Sequence, residues 1–356
     1  MSAALHDINQ TDGVRVRFGA GLRREIGAEV DRLGARRALV LSTPQQCDLA
    51  LEVSKLLGGR ATGVYTKAAM HTPVAVTEDA LEHLKLAGAD CLIAIGGGST
   101  IGLGKALAYR TDLAQIAVPT TYAGSEATPI LGQTEKGEKT TLSSSRVLPE
   151  VILYDPELVA TLPVGMTVTS GLNALAHAAE ALYAENRTPE TTRLALDGIH
   201  ALIDGLPRVM DAPGNLDARA VTQQGAWACG TVLGRVGMAL HHKLCHTLGG
   251  SFDLPHAETH AIILPHAIAY NARAARRELG PLTAALGGET PGMALYDFAR
   301  SLGAPLALRD LGIQKTDLDR AAALATQKPY PNPQPVTRED VRALLQAAWA
   351  GNAPAF

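Results

Sequence analysis

CLIAIGGGSTIGLGKALAYR, residues 91–110, is the stretch on which the fold turns. Cys91 to Ile95 is an unbroken apolar run of strand length, as expected of a strand covered on both faces. Gly96-Gly97-Gly98-Ser99 then turns the chain, and STIGLGKALAYR reads as a helix. A buried strand feeding a helix through glycines is half of a βαβ unit, which implies a parallel sheet covered by helices.

The pattern extends on both sides. Val14–Phe18, Ala38–Leu41, Gly63–Tyr65, Ile116–Val118 and Val151–Tyr154 read as further strands. Helical patterns at about 22–33, 45–57 and 75–87 separate them. ILGQTEKGEKTTLSS, residues 130–144, reads as a hairpin turning at Lys136-Gly137. After Asp155-Pro156 the texture changes to Ala- and Leu-rich helical stretches at 172–184, 190–204, 216–247, 258–275, 292–302, 317–326 and 337–349. Thr188-Pro189, Pro213-Gly214 and the prolines of 329–335 punctuate them. The expected α/β organisation is a Rossmann-like parallel-sheet domain over residues 1–160, then an all-helical domain over 161–356.

Composition narrows the class. At 46% apolar residues, 356 residues hold enough core for two domains. With 32 basic against 35 acidic residues and no basic stripe, nothing favours a nucleic-acid partner. No apolar run reaches membrane-spanning length, and MSAALHDINQTDG lacks an apolar signal region. Cys47, Cys91, Cys229 and Cys245 form no CxxC pair, so a reducing cytoplasm is the expected compartment.

Three strand ends carry polar residues suited to a nucleotide. The GGGS turn is neither GxGxxG nor a P-loop, since Lys105 is followed by Ala106. It reads either as a tight structural turn or as a phosphate cradle at a helix N-terminus, with Ser99 capping the helix and donating to the anion. Ser42 and Thr43 end the second strand without an acidic residue, so a 2′-phosphate meets no repulsion and both NADH and NADPH stay open. Thr120 and Thr121 end a third strand. Lys139, past the hairpin turn, is either near the cofactor or solvated.

Six of the eleven histidines crowd into HHKLCHTLGGSFDLPHAETHAIILPH, residues 241–266. His242 and His246 are four apart and share a helical face, and His256 opens the segment after Leu254-Pro255. In SGLNALAH, Asn173 and His177 are likewise four apart. Such clusters suit metal binding, proton transfer or both.

These motifs together resemble the group III, iron-containing alcohol dehydrogenase family across nearly the whole chain. The resemblance rests on Phe18-Gly19-Ala20-Gly21, the GGGS turn, PTT at 119–121, the 170–177 helix and the 242–271 stretch ending LPHAIAYN. It implies the dehydroquinate synthase-like architecture and a homodimer. It also implies that the positions of an Asp and three His that bind a divalent metal fall on Asn173, His177, His242 and His256. His246 matches a further histidine near the substrate. Asn in place of Asp removes a charge and a strong oxygen donor. At this point the wording of PTTYAGSEAT, SGLNALAHAAEALYA and the 241–266 stretch is similar to the maleylacetate reductase branch.

That branch implies reduction of the carbon–carbon double bond of maleylacetate, a small dicarboxylate, to 3-oxoadipate in bacterial breakdown of aromatic compounds, with NADH or NADPH and no required metal. His177, His242, His246 and His256 are then expected around the substrate. His246 and His242 would share oxyanion stabilisation and proton donation in open order, and Asn173 would hydrogen-bond. Lys243 is either a carboxylate anchor or solvated, and Glu180 and Glu258 either orient a histidine or lie at the surface. His241, His260 and His266 are read as satisfied interior or surface residues, His266 as one that caps or supports its helix. The alternative is a metal-dependent alcohol or polyol dehydrogenase of the same fold.

Overall fold

The computed structural model describes residues 6–9, 13–136 and 138–355. The apolar runs of the first half pair into one seven-stranded sheet of order β1-β2-β9-β6-β5-β3-β4. Its strands are β1 (His6–Asn9), β2 (Arg15–Phe18), β3 (Ala38–Leu41), β4 (Ala61–Tyr65), β5 (Cys91–Gly96), β6 (Ala114–Pro119) and β9 (Val151–Tyr154). All pairs are parallel except β1 with β2. β7 (Ile130–Glu135) and β8 (Glu138–Ser143) form a separate hairpin; Gly137 of its expected turn lies outside the described residues.

Helices α1 (Ile26–Arg32), α2 (Cys47–Leu57), α3 (Val74–Ala87) and α4 (Gly98–Thr111) connect the strands. Successive strand residues point to opposite faces. Val40, Ile93, Ile95, Ile116, Val118 and Val151 pack with Ile26, Val30, Val53 and Leu57. Leu39, Leu41 and Leu92 pack with Ala80, Leu84, Leu103 and Leu107. Both faces are covered, which is why these strands carry no polar alternation.

The antiparallel strand β1 was not anticipated, because HDIN lacks a strand's apolar pattern. It is held by other means: Asp7 pairs with Arg15 at 2.7 Å and Arg17 at 3.0 Å. The His6 ring stacks on Phe18, which stacks on Tyr154, each at 4.8 Å between centroids.

The remaining helices are α5 (Pro156–Val159), α6 (Val164–Ala181), α7 (Pro189–Asp211), α8 (Leu216–Leu233), α9 (Leu240–Phe252), α10 (His256–Asn271), α11 (Arg276–Leu286), α12 (Pro291–Ser301), α13 (Leu318–Thr326) and α14 (Arg338–Ala350). Two compact units result, Met1–Leu162 with Gly214–Gln223, and Pro163–Pro213 with Gln224–Phe356. Residues 214–223 thus go with the sheet unit, where the fully buried Arg219 donates to the Leu162 carbonyl at 3.0 Å and the Tyr122 hydroxyl at 3.3 Å. In the helical unit, leucines of α9 pack with Ile262, Ile263, Leu318, Leu344 and Leu345 from α10, α13 and α14. Among the described residues, no helix is long and apolar enough to cross a membrane.

Two helical expectations need correction. The single stretch 216–247 is two helices, interrupted over 234–239, because GRVGMA carries two helix-weakening glycines and a carboxylate takes the N–H groups that open α9. Helix α6 begins at Val164, eight residues before the expected start, with Pro163 ahead of its first turn.

Lys105 on α4 shapes the loop beyond β6. Its buried ammonium donates to the carbonyls of Ser125, Thr128 and Ile130 and to the Thr128 hydroxyl. Burial brings its pKa down to about 7, against the opposing pull of Glu126. Lys105→Met removes the ammonium donor shared by these carbonyls and is expected to cost about 2 kcal/mol, read as a lower midpoint of urea unfolding.

Candidate active site

The sheet's strand order turns at β3 and β5. From β3 the chain moves outward to β4, and from β5 it moves the other way to β6. In open α/β sheets the crevice at such a switch, beyond the carboxyl ends of the strands, is where nucleotides bind. Thr43 follows β3, the GGGS turn follows β5, and Thr120 and Thr121 follow β6.

These loops are tied to one another. The Thr120 N–H donates to the Gly96 carbonyl at 3.1 Å. Gln46, which no sequence motif marks, donates to the Thr120 hydroxyl at 2.9 Å. A Cβ on Gly97 would stand 2.9 Å from the Thr121 methyl carbon, whereas one on Gly98 would meet nothing within 4 Å. The helix therefore opens on bare backbone, an arrangement that lets N–H groups approach an anion.

Two details differ from expectation, and a third stays open. Gly97, not Ser99, is the N-cap of α4, and no side chain caps it, because Gly98 and Ser99 already lie in the first turn. Ser42 is fully buried, and its hydroxyl donates to the Ile95 carbonyl at 2.9 Å, locking β3 to β5 instead of facing a cofactor. Lys139 pairs with Thr134 in the hairpin, but its side chain lies outside the described residues.

The histidines gather in the helical unit. Helix α6 brings Asn173, His177 and Glu180; α9 brings His241, His242 and His246; α10 brings His256 and His260. The rings of His177 and His242 lie 5.1 Å apart, and those of His242 and His246 6.1 Å apart. Among the described residues, His177, His242 and His260 are three imidazoles whose donor nitrogens lie within 4.8 Å of one another. His260, expected to be a satisfied interior or surface residue, is thus in the cluster, while His256 contacts it through His260 at 4.2 Å between centroids. His242 and His177 are buried, His256 is half-buried and His246 is exposed.

Glu180 organises the group. It is fully buried and accepts from the Ala239 N–H at 3.0 Å, the His241 N–H at 2.8 Å and the His242 Nδ1 at 2.7 Å. An ionised carboxylate only accepts, so the proton of neutral His242 sits on Nδ1 and its Nε2 is a bare lone pair. The same logic fixes His241. Its Nε2 lies 3.1 Å from the His260 carbonyl oxygen, which also only accepts, so Nε2 carries the proton.

Burial keeps the core of the cluster neutral. It holds His241 and His266 down to about 4 and His177, His242 and His260 well below the ordinary histidine range, with neighbouring imidazoles adding to the effect on all but His266. Buried and unpartnered are Asn173 Oδ1, His177 Nδ1, His242 Nε2 and both ring nitrogens of His260. These atoms retain hydrogen-bonding capacity that a ligand could take up.

His177, His242 and His260 are close enough to share one ion, but the set lacks the anionic ligand of the family pattern. It offers neutral imidazoles and an amide oxygen, so an ion would keep its full double charge in a buried space. The carboxylate of Glu180 is already engaged by His242 and the backbone of α9. Lys243 places its ammonium 5.8 Å from the centroid of the Tyr330 ring. Neither ring nitrogen of His266 has a partner, so it caps nothing.

Comparison with known proteins places this arrangement. Residues 13–156 match the iron-containing alcohol dehydrogenase model, and residues 167–349 match the C-terminal model of the Fe-containing alcohol dehydrogenase family. The chain is similar to the maleylacetate reductase of Rhizobium sp. (strain MTP-10005), 56% identical over 344 residues, covering 97% of this chain and 98% of the relative. It is 49% identical over 340 residues to that of Burkholderia cepacia, covering 96% and 97%. The crystal structure of maleylacetate reductase from Agrobacterium tumefaciens superposes with a TM-score of 0.94 at 56% identity, covering 98% of this chain and 99% of that one.

The buried imidazoles tie stability to pH. An unfolded chain protonates its histidines near 6.5, while folded His241 and His266 resist until about 4. Their stabilising effect is complete above 6.5 and is lost progressively as the pH falls toward 4. His266→Gln is expected to remove about 2 kcal/mol of the stability lost between pH 7 and pH 5, measured by urea unfolding at both pH values.

Proposed function

The chain belongs to the iron-containing alcohol dehydrogenase family, and from that premise we propose that it reduces the carbon–carbon double bond of maleylacetate to 3-oxoadipate with NADH or NADPH. The observation that carries this reading is the 56% identity to a maleylacetate reductase over 97% of the chain. Asn173 among neutral imidazoles, in place of an anionic ligand set, supports the same choice over a metal-dependent alcohol dehydrogenase.

The bound nicotinamide supplies a hydride to the alkene carbon β to the ketone. The double-bond electrons then shift toward the ketone, and negative charge develops on its oxygen. The adjacent carbon takes a proton, so each turnover consumes one substrate, one reduced cofactor and one proton. This chain's part is to bind a dicarboxylate, hold the developing oxyanion and deliver the proton.

We assign the substrate pocket to Asn173, His177, His242, His246 and His256, with no metal in the reaction. Asn173 presents its unpartnered Oδ1 as a hydrogen-bond acceptor. His242, oriented by Glu180, turns its bare Nε2 to the pocket, so it donates only after taking up a proton. His246 is the exposed imidazole closest to it and exchanges protons with water most readily. A dianionic substrate raises the proton affinity of the imidazoles around it, opposing the effect of burial. Thr43, Gly96, Gly97, Gly98, Ser99, Thr120 and Thr121 are assigned to the cofactor. A cytoplasmic homodimer completes the proposal; four free cysteines support a reducing compartment.

Oxidation of NADH and NADPH with maleylacetate, with and without EDTA, tests this reading. Turnover that is indifferent to the chelator is expected. Loss with EDTA and recovery with iron or zinc would overturn the metal-free mechanism, and oxidation of simple alcohols without turnover of maleylacetate would overturn the substrate. His246→Ala is expected to lower kcat by at least about tenfold, and near-normal turnover would remove His246 from the mechanism. Glu180→Gln, which takes the charge from the His242 Nδ1–H, is expected to lower kcat by about 10- to 100-fold in steady-state assays.

A further inference from the structure

His260 is the residue of this cluster whose sequence context says least about it. It lies one turn beyond His256 on α10, only 1% exposed. Its ring sits 4.8 Å from that of His241, 5.2 Å from that of His242 and 6.4 Å from that of His177. Its carbonyl is engaged by His241, yet neither ring nitrogen has a partner. Each buried polar atom left unmatched costs about 1–3 kcal/mol; His266 is unmatched too, but only His260 has its ring packed among those of His177, His241 and His242. Two unmatched nitrogens facing other imidazoles belong to a site awaiting a polar ligand.

The hydrogen-bond directions in the cluster define what that ligand needs. Glu180 holds the proton of His242 on Nδ1, leaving a lone pair at Nε2. His241 spends its N–H on the His260 carbonyl. Neither neutral ring can donate to an oxyanion. Among the fully buried imidazoles of the cluster, the N–H groups still open to a ligand are those of His177 and His260. The nitrogens of His177, His242 and His260 lie within 4.8 Å of one another, room for one oxygen atom among them.

We propose that His260 is a catalytic residue that donates a ring N–H to the ketone oxygen of the substrate as that oxygen becomes the enolate oxygen. The inference rests on the reduction of maleylacetate proposed above. The donated hydrogen is not transferred: the carbon–hydrogen bond of the product forms with a proton from elsewhere in the pocket, so His260 ends each turnover unchanged. A neutral imidazole serves here, because a preorganised donor in a water-poor site needs no formal charge to stabilise a developing oxyanion.

The test compares the full-length wild type with His260→Ala and His260→Asn, using maleylacetate with NADH. Loss of one oxyanion donor costs on the order of 10²–10³ in kcat. His260→Ala is expected to lose at least about 100-fold in kcat with NADH affinity, read by fluorescence titration, within about twofold of wild type. The amide N–H of His260→Asn is expected to restore at least about tenfold of that loss. His260→Ala within about threefold of wild type overturns the proposal, given the scale of an oxyanion donor. If His260→Ala does not fold, a folded His260→Asn decides: activity within about tenfold of wild type supports the donor role, and a loss of about 100-fold or more overturns it. A wild type that does not turn over maleylacetate defeats the functional reading first, and this inference with it; an active wild type with an indifferent His260→Ala defeats this inference alone.

Discussion

The carboxylate of Glu180 is the constraint on which the helical unit's chemistry depends. It comes from α6, accepts the backbone N–H groups that open α9, and holds His242 by Nδ1 at 2.7 Å. One buried anion therefore does three things. It caps a helix whose N-terminal dipole favours negative charge, sets the boundary that separates α8 from α9, and fixes the tautomer of a pocket imidazole. Removing the charge would affect the course of the backbone and the direction of a lone pair together.

Such a cluster is unfavourable for folding. Five buried histidines stay neutral by burial, and several of their nitrogens lack partners. The surrounding packing offsets this cost. Leu240, Leu244 and Leu248 of α9, and Ile262 and Ile263 of α10, are essentially inaccessible. Each contributes roughly 1.5–3 kcal/mol by burial, against about 1–3 kcal/mol for each unmatched polar atom. One face of α9 and α10 is spent on stability, which leaves the other able to carry unsatisfied polar groups toward a ligand. A pocket that presents neutral donors and acceptors suits a substrate that brings its own negative charge.

In the sheet unit the strand ends are linked by a chain of small interactions. Ser42 bonds the end of β5, Thr120 bonds the Gly96 carbonyl, and Gln46 bonds Thr120. Lys105 holds the loop from Ser125 to Ile130 by its carbonyls. Polar residues at these ends thus divide into those that shape the loops and those left to meet a cofactor. Ser42 belongs to the first kind, although sequence alone gave it the same standing as Thr43.

The sequence by itself determined most of the elements and their kind. CLIAI, ALVL and VILY are legible as buried strands because both of their neighbours are apolar, and hydrophobic burial is local enough to appear as composition. The spacing of Asn173 with His177, and of His242 with His246, likewise placed each pair on one helical face. What only the tertiary structure decided was which atoms are left without partners. β1 exists through ion pairs and ring stacking to β2, contacts that no periodicity records. The break before α9 depends on a carboxylate about sixty residues away in sequence. His260 was read as a satisfied interior or surface residue because an i, i+4 relation to His256 says nothing of what the ring meets across α6 and α9. Hydrogen-bond satisfaction depends on distance and direction between segments far apart in the chain, so the direction of each lone pair in the pocket follows from how the helices pack.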